Sequence, residues 1–86
     1  MKPVIMFITD WCPYCKQAIP WIEELKTENP KYADIEVKII DEEIHPEISK
    51  TYDYYYVPTF YVDNVKINEG AASKNIVREV FEKAIK

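Results

Sequence analysis

Eighty-six residues, 48% hydrophobic and 30% charged, have the size and composition of one folded domain, 1–86, and not those of a disordered segment. A net charge of −4 without any basic run argues against nucleic acid as a partner, and the longest apolar run, Val4–Ile8, is too short to cross a bilayer. That run follows Met1 with one lysine ahead of it and no small-residue cleavage site behind it, so it does not read as a signal peptide. The expectation is a cytoplasmic protein whose thiols are kept reduced.

Val4–Ile8 is continuously apolar, as a strand covered on both faces should be. Thr9-Asp10-Trp11 interrupts it, and from Pro13 a helical pattern begins in which Ile19, Ile22 and Leu25 recur among charged residues. Pro20 lies inside this helix and removes a hydrogen bond from it; Asn29-Pro30 ends it. Ile35–Ile40 reads as a second strand, and His45-Pro46 opens a short helix with Ile48 and Tyr52 turned inward. Val57–Val62 and Val65–Ile67 are two more strands, joined at Asp63-Asn64, which tolerate the positive φ of a tight hairpin. Ser73 is a good N-cap for a last helix with Ile76, Val77, Val80, Phe81 and Ala84 on its inner face. The order β-α-β-α-β-β-α implies an α/β fold with one mixed four-stranded sheet flanked by three helices.

The only two cysteines lie in Trp11-Cys12-Pro13-Tyr14-Cys15. Cys12 falls where the first strand turns into the first helix, and Cys15 falls in that helix's first turn. The free N–H groups and positive dipole end of a helix start favour an anionic sulfur, and Cys12 is the better placed of the two to use them. Cys15 should point inward. Pro13 sets φ at the helix start, Lys16 adds positive charge, Trp11 offers a flat apolar surface, and Tyr14 is free to meet a substrate. This reads as a redox dithiol in which Cys12 attacks a substrate disulfide and Cys15 resolves the mixed disulfide. Three other fates stay open. Zinc needs four ligands, and only distant His45 could join the cysteines. A structural disulfide across so short a loop would stabilise little. The second functional reading is an iron–sulfur cluster carrier or scaffold in which Cys12 thiolates are shared in a dimer.

The residues around this motif resemble those of the thioredoxin-fold oxidoreductases over essentially the whole chain. Cys12-Pro13-Tyr14-Cys15 is similar to the motif of dithiol glutaredoxins. Trp11, Lys16, Pro20, Val57-Pro58-Thr59-Phe60 and the entry to the last helix at Gly70 resemble thioredoxin. The resemblance implies a cis Val57–Pro58 bond lying against the dithiol, with Val57 main chain pairing with the bound substrate as an added strand. It implies a monomeric oxidoreductase of disulfide-bearing proteins that carries no bound cofactor and no metal. Electrons would come from a thioredoxin reductase or from glutathione. Two departures stand out: Thr9 occupies the place of the cation that glutaredoxins turn toward a glutathione carboxylate, and Met6 the place of thioredoxin's buried aspartate.

Tyr52, Tyr54, Tyr55 and Tyr56 crowd the approach to Pro58. Tyr52 reads as packing on the sheet, and Tyr56, with Tyr55, as a candidate substrate surface. Lys38 is a candidate for a place beneath the dithiol, as a lysine is in thioredoxin's corresponding strand. His45, a lone histidine, reads as solvated at a helix start.

Overall fold

The computed structural model describes all residues, 1–86. Strands β1 (Val4–Ile8), β2 (Val37–Asp41), β3 (Thr59–Val62) and β4 (Val65–Glu69) form one sheet in the order β2-β1-β3-β4. Helices α1 (Pro13–Glu28), α2 (Pro46–Ser49) and α3 (Lys74–Ala84) complete the chain, with a single 3-10 turn at Pro30–Tyr32. β1 pairs in parallel with β2 and antiparallel with β3, and β4 adds antiparallel to β3. This is the mixed sheet with three helices that the element order implies.

β1 is continuously apolar because it is a central strand with both faces covered. Val4 and Met6 face the larger core, with Ala18, Ile22 and Leu25 of α1 and Val77, Val80, Phe81 and Ala84 of α3. Ile76 is only half-buried, at the edge of that face. Ser73 Oγ accepts the Ile76 N–H at 3.2 Å, satisfying one of the free donors at the start of α3. Asp63 and Asn64 take φ of +51° and +66°, which gives the β3–β4 turn the twist a two-residue hairpin needs.

The other face carries a smaller core of Phe7, Ile40 and Tyr61, flanked by Ile48, Tyr52, Tyr54 and Val57. One-turn α2 is too short to cover this face, and tyrosine rings do most of it. The Phe7 ring centroid lies 4.9 Å from that of Tyr52 and 4.8 Å from that of Tyr54, with Tyr61 edge-on at 5.9 Å. The hydroxyls reach polar partners at the rim: Tyr52 to Asn64 Oδ1 (3.1 Å), Tyr54 to Glu42 Oε1 (3.0 Å) and Tyr61 to the Asp53 carbonyl (2.7 Å). Tyrosine suits this layer because its body is apolar and its tip is not.

Four strand bounds differ from the sequence reading: β2 ends at Asp41 instead of Ile40, β4 at Glu69 instead of Ile67, and two starts shift. β2 starts at Val37 instead of Ile35, because Ile35 is buried at the end of the turn that precedes the strand, with its N–H bonded to the Tyr32 carbonyl at 3.1 Å. β3 starts at Thr59 instead of Val57, because Pro58 has no N–H to give a ladder.

Phe7→Ala should destabilise the protein by about 3–5 kcal/mol, since it empties the centre of the aromatic layer. Tyr55→Ala, at an 87% exposed side chain, should stay within about 0.5 kcal/mol of the parent. Urea unfolding of the two variants checks the contrast.

Candidate active site

The C-terminal end of β1 delivers the chain to the dithiol. Thr9 is buried, and its carbonyl accepts the Cys12 N–H at 3.4 Å, which closes the turn into α1. Cys12 is the N-cap of that helix, with φ −77° and ψ 115°, and its Sγ accepts the Cys15 N–H at 3.3 Å. The sulfur thus takes the place of the serine or aspartate oxygen that ordinarily caps a helix. Pro13 follows at the first helical position, where a missing N–H costs nothing.

Both cysteines are free thiols, and both are buried, Cys12 at 3% and Cys15 at 1% exposure. Burial is the main reason that the Cys15 thiol is pushed up from its ordinary 9.0 to about 12. Its hydrogen bond with Cys12 and the negative charges of Cys12 and Glu42 act in the same direction, and the Thr9 main chain acts against them. Cys15 therefore keeps its proton at neutral pH.

Forty-five residues further along the chain, the Val57–Pro58 bond is cis, and Val57 is brought to the sulfur: Cys12 Sγ–H donates to the Val57 carbonyl across 3.6 Å. Pro58 is buried and Val57 half-buried. Trp11 (69% exposed) donates its indole N–H to Glu43 Oε1 at 2.9 Å, so the segment after β2 forms one wall of the site. Pro13, Tyr14, Lys16 and Tyr56 are exposed around it.

Not every sequence candidate is here. Lys38 pairs in register with Ile5, three residues back from the Ile8 end of β1, which puts it about 10 Å along the sheet from the dithiol end. Its exposed position opposite Ile5 excludes the role considered for it. His45 is exposed at the start of α2, with Nδ1 3.5 Å from Glu47. Met6 is wholly buried in the main core, so no carboxylate lies at that point beneath the dithiol. Glu42 and Glu43 escaped the sequence reading. Only the bonds from Tyr54 to Glu42 and from Trp11 to Glu43 show what these two carboxylates hold.

The family model for thioredoxin matches residues 1–86. The chain belongs to the thioredoxin family. Thioredoxins of Mycobacterium bovis and Mycobacterium tuberculosis are 31% identical to it over 77 residues, 88% of this chain and 61% of theirs. It thus spans 61% of the length of these curated relatives. Among solved structures, oxidised thioredoxin of Plasmodium falciparum superimposes with a TM-score of 0.75 at 20% identity, covering 99% of this chain and 82% of that one. Thioredoxin of Schistosoma mansoni does so at 0.74 and 25% identity, covering 95% and 75%. The sheet order and three helices are those of the thioredoxin fold.

The raised Cys15 thiol carries a sign for stability. The unfolded chain gives up this proton near 9.0 and the folded chain near 12, so the unfolded state is the more deprotonated between them and stability falls as pH rises through that window. Urea midpoints of the reduced protein should drop more steeply from pH 9 upward than those of Cys15→Ala. Parallel curves would show that Cys15 does not hold its proton.

Proposed function

We propose that this protein is a thiol–disulfide oxidoreductase that reduces protein disulfides by dithiol exchange. The observation that carries the reading is Cys12 Sγ capping α1 through the Cys15 N–H while lying 3.6 Å from the Val57 carbonyl. One sulfur stands at a helix start that favours negative charge, beside a main-chain edge where a substrate can pair, with the second sulfur buried behind it.

The exchange runs in two steps. Cys12 thiolate attacks one substrate sulfur; the substrate S–S bond breaks, a Cys12–substrate disulfide forms, and the departing thiolate takes a proton. Cys15 then gives up its proton and attacks Cys12 Sγ, which releases the second substrate thiolate and leaves a Cys12–Cys15 disulfide. Two electrons pass to the substrate. Once Cys12 is tied up in the mixed disulfide, its charge and its hydrogen bond no longer hold the Cys15 proton, so two of the causes that raise the Cys15 thiol are gone when it must attack. The sulfur pair carries both electrons, so no bound cofactor is needed. Lasting reduction between turnovers suits a reducing compartment such as the cytoplasm.

For the electron donor we favour a protein reductase of the thioredoxin-reductase type over glutathione. Buried, uncharged Thr9 stands where a glutathione carboxylate would look for a cation.

Cys12→Ser should abolish insulin-disulfide reduction, and full retained activity would sink the assignment. Cys15→Ser should trap the mixed disulfide, visible as a mass increase that a reductant removes. Oxidised protein should be reduced by NADPH with a thioredoxin reductase, and faster reduction by glutathione would reverse the choice of donor.

A further inference from the structure

The segment Asp53–Val57, which brings the Val57 carbonyl to Cys12, takes part in no main-chain to main-chain hydrogen bond. It is held by side chains of β3 and β4 instead. The Asp53 carbonyl accepts from Tyr61 Oη (2.7 Å) and Lys66 Nζ (3.2 Å), and Thr59 Oγ1 donates to the Tyr56 carbonyl. Two successive N–H groups, of Tyr55 and Tyr56, donate to one oxygen, Glu69 Oε2, at 2.6 and 3.1 Å. The other carboxylate oxygen, Oε1, accepts from Lys66 Nζ at 2.7 Å. The Glu69 side chain is 20% exposed, and its ionised carboxylate makes these bonds charge-assisted.

A regular strand could not build this arrangement. Residues three apart on a strand point to opposite faces, and Lys66 and Glu69 are three apart. The register of β4 shifts, however: Phe60 pairs with Asn68 and Tyr61 with Lys66, leaving Ile67 as an extra residue. That bulge puts Lys66, opposite Tyr61, on the same face as Glu69, opposite Thr59. Ile67 packs on the main core, so the bulge is anchored from the other side.

We propose that Glu69 is the positioning residue of the substrate edge: with Lys66 it clamps the Tyr55–Tyr56 main chain and so fixes Val57 where an extended polypeptide carrying the disulfide pairs beside Cys12. The inference rests on the oxidoreductase reading. It assigns to a residue outside the dithiol motif the rigidity of the edge on which a protein substrate, as distinct from a small disulfide, is read. A pre-ordered edge spares the complex the cost of ordering this loop on binding.

Insulin reduction with dithiothreitol as the electron source tests it without involving the physiological donor. Glu69→Ala should raise KM for insulin about tenfold and change kcat less than about twofold, the signature of lost binding with the chemistry intact. Glu69→Gln keeps an acceptor oxygen without the charge and should raise KM only about threefold, a partial rescue by the isosteric side chain. Amide hydrogen exchange at Tyr55 and Tyr56 should quicken about tenfold in Glu69→Ala and less in Glu69→Gln, with core amides unchanged. Wild-type KM in both variants, or a fall in kcat at constant KM, would overturn the proposal. If Glu69→Ala does not fold, Glu69→Gln decides by the same measurements. Absence of turnover in the parent protein would overturn the oxidoreductase reading and this proposal with it, whereas turnover with an unmoved KM removes this proposal alone.

Discussion

The hydrogen bond from the Cys15 N–H to Cys12 Sγ is the constraint on which the site depends. It makes a sulfur the cap of α1, so the start of the helix and the reactive atom are the same place. Where α1 begins is in turn set by β1, whose last residues pass through buried Thr9 to the Cys12 N–H. A central strand covered on both faces cannot slide by one residue without turning its core side chains to the wrong layer. The dithiol inherits that fixed register. It also explains the asymmetry of the pair: one turn into the helix, Cys15 faces the interior and keeps its proton, while Cys12 occupies the cap position beside the Val57 carbonyl.

The two faces of the sheet do different work. The α1 and α3 side is an aliphatic and phenylalanine core whose contribution is stability. The opposite side has only one-turn α2 and is completed by Phe7 and three tyrosines. Tyr52 and Tyr54 lead into the loop before Pro58 and their hydroxyls tie it to Asn64 and Glu42, while Tyr61 of β3 holds the loop's Asp53 carbonyl. The layer that buries Phe7 and the loop that faces Cys12 are therefore one structure. A change in packing there reaches the Val57 edge directly.

Much of this was legible in the residues. The apolar run of β1, the three- and four-residue spacing of α1 and α3, the Ser73 cap and the Asp63-Asn64 turn are local signals, and the elements follow them. Strand ends were less legible, because Ile35 and Val57 are as apolar as strand residues, yet Ile35 closes a turn on the Tyr32 carbonyl and Val57 precedes a proline with no N–H for the ladder. Lys38 misled because its place along β2 depends on register against β1, which no local signal in the chain sets.

The dithiol, its place at a strand–helix junction and its division into an outer and an inner sulfur were determined by the sequence alone, because spacing within one turn of a helix decides them. The meeting of Cys12 with Val57, 45 residues away, and of Trp11 with Glu43, 32 residues away, was decided only by the tertiary structure. So was the clamp of Glu69 on Tyr55 and Tyr56. Strand order chooses which loops converge at the end of β1, and a single bulged residue, Ile67, chooses which face Glu69 occupies. Neither choice leaves a local mark in the chain, since both depend on which hydrogen-bonding edges find each other once the core has closed.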